Sequence, residues 1–190
     1  MRGPFVTLRW WKAIAEGAHG VIAVSVLEWA GIGSPSLTID WTPIRDAASA
    51  ERFAAQIEAL PYRPADGTSI GSAIGIAHLL LDAAPYRTNR RVIDVSGDGV
   101  SVNPSHLADA RASAIAAGIT INGLPICETH PCDVQTHYAK QVIGGPGSFM
   151  VVVDGFASFD RAILNKLALE IAGLPRTGPD VALNNRHAAR

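Results

Sequence analysis

The chain has 190 residues, of which 48% are apolar and 17% charged, with a formal net charge of -1. That length suits one domain with a sizeable core, and the near-neutral charge excludes a basic nucleic-acid or anionic-membrane binder. No run has the length and uniform apolarity of a membrane span, and Met1 to Trp11 lacks the apolar region and cleavage site of a signal peptide.

In chain order, Val21 to Trp29 reads as an apolar strand, interrupted by Ser25 and Glu28. Gly31, Gly33, Ser34 and Pro35 make a turn. Leu37, Ile39 and Trp41 alternate with Thr38, Asp40 and Thr42, the pattern of a strand with one wet face. The short connection predicts an antiparallel pair with the second strand near an edge. Asp46 or Ser49 caps a helix with Phe53, Ile57 and Leu60 as its apolar stripe, and Pro61 ends it. Pro64 stiffens the following loop. Thr68 or Ser69 caps a second helix, striped by Ile70, Ile74, Ala77 and Leu81 and stopped by Pro85.

Val92 to Val95 is a short buried strand that ends in the turn Ser96-Gly97-Asp98-Gly99. Asn103-Pro104 is a cap followed by proline at the first helical position; this helix runs to about Ala117, with Gly118 as its C-terminal cap. Ile119 to Ile126 is the next strand and Phe149 to Val153 the last, with turn-rich Val142 to Gly147 before it. Asp133 to Gln141 is long enough for a short helix between those strands. Ser158 caps a final helix with Phe159, Ile163, Leu167 and Ile171 on one face, and the tail from Arg176 is polar or small. Such alternation predicts an α/β fold: helices on both faces of a mostly parallel sheet with one antiparallel edge strand.

In open α/β sheets ligands sit beyond the carboxyl ends of the strands. Asp98 follows a buried strand there, placed either to hold a hard cation or to bond its own turn backbone. Thr68 and Ser69 present hydroxyls at a helix start, where capping accounts for them equally well. Neither a GxxxxGK[ST] nor a GxGxxG pattern is present, so no nucleotide loop is expected. Asp94, inside an apolar strand, is expected to make buried hydrogen bonds, and Glu28 to be structural. His78 is expected to pack or cap locally and His106 to face solvent. No G-x-S-x-G elbow and no spacing of Ser, His and acid selects a hydrolase. Cys127 and Cys132 are compatible with a local disulfide or with two free thiols; with His130 and His137 nearby they match no strong zinc pattern. Trp29 and Trp41 belong by default to the core, while Trp10 and Trp11 are candidates for an exposed surface.

VSVLEWAG (Val24 to Gly31), Gly67-Thr68-Ser69-Ile70, RVIDVSGDG (Arg91 to Gly99), GITINGLP (Gly118 to Pro125) and VIGGPGSF (Val142 to Phe149) together resemble a bacterial branch of the von Willebrand factor type A (vWA)-like domains. The resemblance spans about residues 12 to 173 and implies a three-layer, doubly wound, Rossmann-like fold. It also implies a metal-ion-dependent adhesion site built from three loops, in which Thr68 and Asp98 match the second and third. The first loop, Asp-x-Ser-x-Ser after the central strand, has no match before Val21. Residues 1–20 resemble the end of the family's first helix and its lead-in, 21–173 the vWA-like domain, and 174–190 a flexible tail. The expectation is therefore a chain without the first central strand and with an incomplete metal site of Thr68 and Asp98. No cofactor is expected for the chain as it stands, and Mg²⁺ only with the first loop restored, as when the true start lies upstream. The resemblance implies a non-enzymatic domain that binds a protein partner, with no nucleic acid and no membrane span, and relatives that are exported or periplasmic. The alternatives are a metal-assisted hydrolase at the same sheet edge and a structural remnant without a ligand.

Overall fold

The strand Ile22–Glu28 (β1) runs antiparallel to Ser36–Ile44 (β2), pairing Ile22 with Ile44 and Glu28 with Ser36, with irregular register around Val26. This computed structural model describes residues 14, 19–31, 33, 35–61, 66–129, 131–155 and 166. The helices Ala47–Glu58 (α1) and Ile70–Asp82 (α2) follow, then the strand Arg91–Gly97 (β3) and the helix Pro104–Ala116 (α3). The strand Ile119–Cys127 (β4), the short helix Asp133–His137 (α4), continued by a π-helical turn Tyr138–Val142, and the strand Val153–Asp154 (β5) complete the described elements. β3, β4 and β5 pair in parallel, Arg91 facing Ile119 and Gly97 facing Pro125.

The predicted α/β architecture, with a parallel sheet and an antiparallel edge pair, is the one observed. Local chemistry sets its limits. Asp46 caps α1 in a reciprocal box: Ser49 N–H and Oγ both donate to its carboxylate at 2.7 Å, and Asp46 N–H donates back to Ser49 Oγ at 3.1 Å. These bonds hold the Asp46 carboxyl below its usual range. Asn103 accepts from His106 N–H at 3.1 Å at the start of α3, with Pro104 at the first position. Pro43 lies within β2, as an edge strand allows.

Three apolar clusters form the interior. The largest gathers Ile70 and Ile74 of α2, Ile93 and Val95 of β3, Leu107 and Ala114 of α3, and Ile119 and Ile121 of β4 over Tyr138 and Val142. A second holds Ile39, Ile44, Ala50 and Phe53 with Ile14. The third lies on β4, on β5 and on the segment before it: Leu124, Ile126, Phe149, Val151 and Val153. Each fully buried isoleucine contributes about 2 kcal/mol.

Among the described residues no ladder joins β1 to β3, so the strands form a two-stranded and a three-stranded sheet. All seven residues of β1 are half-buried, although the strand is mostly apolar. Among the described residues no helix is long and apolar enough to cross a membrane.

Several expectations need correction. Leu37 and Ile57 are exposed, because β2 is an edge strand and α1 ends at Glu58, before its stripe completes a further turn. Ser69 occupies the cap position of α2 without a side-chain capping bond. The last strand is only Val153–Asp154, with a lone parallel bridge from Gly123 to Met150 before it. Asp94 is not buried: it points away from the Ile93 and Val95 face and pairs with Lys166. Trp29 and Trp41 are half-buried. The Pro64 loop, Trp10, Trp11, His130, the helix from Ser158 and the tail lie outside the described residues.

Candidate functional site

Three segments meet at the carboxyl edge of the strands: 29–31 after β1, 66–69 before α2 and 98–102 after β3. Ser69 N–H donates to Ala30 O at 2.6 Å, and Val102 N–H to Thr68 O at 2.9 Å. The backbones approach so closely that a Cβ on Gly31 would lie 2.7 Å from Asp66 O. A Cβ on Gly99 would lie 2.6 Å from Thr68 Oγ1. Thr68 therefore rests against Gly99, the residue next to Asp98. Thr68 is half-buried and Asp98 exposed.

The 98–102 loop is also held from behind. His137 is buried, and its Nε2 accepts from Ser101 N–H at 3.1 Å. That bond places the ring proton on Nδ1 when the imidazole is neutral. Burial lowers the His137 pKa below its usual value. The neighbouring Tyr138 is fully buried, and burial, with the Asp98 charge behind it, pushes its hydroxyl far above the usual phenol range. The hydroxyls of Tyr138 and Ser101 have no hydrogen-bond partner among the described residues. Sequence reading missed His137, Tyr138 and Ser101 as parts of this edge. Nothing in their spacing links residue 101 to residue 137; only the packing of α4 against β4 does.

Cys127 ends β4 and Cys132 caps α4, and the two form a disulfide. The thiol and zinc readings of this pair give way to a clip that ties the end of β4 to the helix carrying His137. Ser69 Oγ contacts Ser72 Oγ at 2.8 Å, and Ser72 Oγ lies 3.5 Å from Nε2 of the exposed His106. His78 pairs with Asp82 at 3.5 Å, one turn along α2. The clefts lined by Thr42, Arg45, Ser49 and Arg52 and by Thr38, Asp40 and Leu60 lie on β2 and α1, away from Thr68 and Asp98.

Thr68 and Asp98 by themselves do not fit a tightly held Mg²⁺. That ion takes about six oxygens and gives up water reluctantly. The two residues offer one hydroxyl and a single charge, and the neighbouring Ser69 Oγ is engaged by Ser72. Among the described residues no group of three or more His, Cys, Asp or Glu is placed to hold a metal.

The fold is similar to that of a von Willebrand factor type A protein from Catenulispora acidiphila, with a TM-score of 0.60 and 16% identity over 89% of this chain and 37% of that one. It is similar to the VWA domain of SpRpn10, at 0.58 and 17% over 90% of this chain and 85% of that one. Proximal thread matrix protein 1 from the mussel byssus gives 0.57 and 12%, over 90% and 43%. The chain thus spans less than half the length of the first and third of these. At such identities the likeness is one of fold: a vWA-like α/β domain. No curated protein matches this sequence significantly. The chain belongs to the family described as Protein of unknown function (DUF1194), which matches residues 6–175.

Proposed function

We propose that this vWA-like domain is a non-enzymatic interaction module that recognises a protein partner at the edge formed by Thr68, Asp98, Val100 and Val102. The observation that carries the reading is the exposure of Val100 (48%) and Val102 (60%) on a loop fixed by Thr68 O and His137. Exposed apolar side chains beside a carboxylate, on a loop already ordered, suit a protein surface better than a small substrate, which needs an enclosed site. Asp98 supplies charge selectivity. A Mg²⁺ bridge belongs to this reading only where a further loop adds donors. The Cys127–Cys132 disulfide supports residence in an oxidising compartment.

A photo-crosslinking residue at position 100, in the source cells, tests the proposal. The expected result is one discrete protein adduct whose yield collapses with Asp98→Ala. Absence of any adduct, or turnover of ester or phosphoester substrates that Asp98→Ala abolishes, overturns it.

A further inference from the structure

The helix α1 runs back along β2, and a groove lies between them. Arg52 and Gln56 stand one turn apart on one face of α1, a face that Ala59 and Leu60 continue past its end. This face and β2 line two adjoining clefts, of about 420 Å³ and 400 Å³, that share Gln56. The two clefts differ in charge. Arg45 and Arg52 line the first, and Asp40 lines the second beside Ala59 and Leu60. All three ionic side chains are exposed. Glu51 and Glu58, the acidic residues of α1, line neither cleft.

Asp46 also lines the first cleft, but it does not cancel the positive charge there. Its carboxylate already accepts from Ser49 N–H and Oγ at 2.7 Å. Those bonds first, and then the charges of Arg52 and Arg45, hold its carboxyl below the ordinary range. Both guanidiniums therefore act on one spot, yet neither makes an ion pair or a side-chain hydrogen bond among the described residues. Two guanidiniums, each a planar fork of donors, are suited to clamp one carboxylate of a ligand. A ligand of uniform negative charge, such as a polyphosphate, gains at this end and is repelled by Asp40 at the other.

We propose that the groove between β2 and α1 binds an extended segment of a protein partner, with a carboxylate at one end, an apolar side chain in the middle and a basic side chain at the other. Arg45 and Arg52 hold the carboxylate, Ala59 and Leu60 take the apolar side chain, and Asp40 faces the basic one. The spacing follows from the groove. Arg52 and Leu60 lie roughly 12 Å apart along the helix axis, and four steps of extended chain cover about 13 Å. Side chains two and four residues apart point to one side of such a chain, so acid, apolar and base all turn toward the groove. The groove is separate from the Thr68 and Asp98 edge, so either proposal can fail without the other.

NMR titration of the isotopically labelled 190-residue chain tests this. The probes are the capped pentapeptide Glu-Ser-Leu-Ser-Lys and its reverse, because the charges fix the ends of the groove and not the direction of the chain in it. Twins carry glutamine in place of the glutamate or of the lysine. At low salt at least one probe should bind with a Kd of about 1 mM or tighter, shifting the amides of Asp40, Arg45, Arg52 and Gln56 and leaving those of residues 98–102 in place. The twin without the glutamate should bind several-fold more weakly. Arg45→Gln with Arg52→Gln should weaken the probe about tenfold, and raising the salt should weaken it as well. Asp40→Asn should weaken the probe but not the twin without the lysine. No binding of either probe, or equal binding of the twin without the glutamate, overturns the proposal. So does inorganic phosphate that shifts the same amides with the probe's affinity, which makes the cleft a general anion site. Shifts of these amides that grow with chain concentration in the absence of peptide assign the groove to a second copy and overturn the proposal too.

Discussion

The backbone N–H of Ser101 donates to Nε2 of His137 across 3.1 Å in a buried setting, tying the loop that carries Asp98 to the helix after β4. Only a neutral imidazole accepts at that atom, and burial lowers the His137 pKa below its ordinary 6.5. The unfolded chain therefore takes up this proton at a higher pH than the folded one. Stability from this group is complete above about pH 6.5 and falls as pH drops toward the lowered folded value. Urea midpoints from pH 8 to 5 should show this acid limb. His137→Gln, which keeps an acceptor and does not titrate, should flatten it. An unchanged limb in that variant assigns the dependence to other groups.

His137→Ala should cost about 1–3 kcal/mol at pH 8, because it leaves the Ser101 N–H buried without its acceptor. The loss should concentrate in the 98–102 loop. Faster amide exchange at Ser101 and Val102, ahead of β3 itself, is the signature to look for.

Gly99→Ala should destabilise the fold by about 1–3 kcal/mol, since the new methyl meets Thr68 Oγ1 at 2.6 Å. Thr68→Ala makes room for it. The double variant should recover much of the loss, so a double-mutant cycle of denaturation midpoints should be clearly non-additive. Additive effects would show that the two loops do not touch.

Reduction of Cys127–Cys132, or the double change to serine, should lower stability by about 2 kcal/mol, as expected for a short closed loop. Thiol titration of the unreduced, unfolded protein should find no free thiol. Two reactive thiols in protein purified without reductant contradict the bond.

Calorimetric titration of the chain with Mg²⁺ and Mn²⁺ should give no heat of micromolar binding, because Thr68 and Asp98 alone bring one hydroxyl and one carboxylate to an ion that takes about six oxygens. Micromolar binding that disappears with Asp98→Ala would falsify this.

Much of the fold is legible along the chain. Asp46 and Ser49, Asn103 and Pro104, and the stripe of Ile70 and Ile74 are signals carried within a few residues, where propensity and period act directly. Leu37 and Ile57 mislead for the same reason: alternation and stripe predict a face, but a face is buried only where another element covers it. Asp94 shows the converse, since an apolar strand does not bury both of its faces when one is left to a carboxylate and Lys166. For the candidate site, Asp98 and Thr68 stand out in the sequence as a turn carboxylate and a helix-start hydroxyl.

The sequence by itself determines the order of strands and helices, the antiparallel edge pair and the two loops that carry Thr68 and Asp98, because these depend on neighbours a few residues apart. Only the tertiary structure decides that Thr68 lies against Gly99, that His137 holds the Asp98 loop, and that Cys127 and Cys132 are joined rather than free. The first two are contacts between distant segments brought together by packing, and neither period nor propensity carries information over that separation.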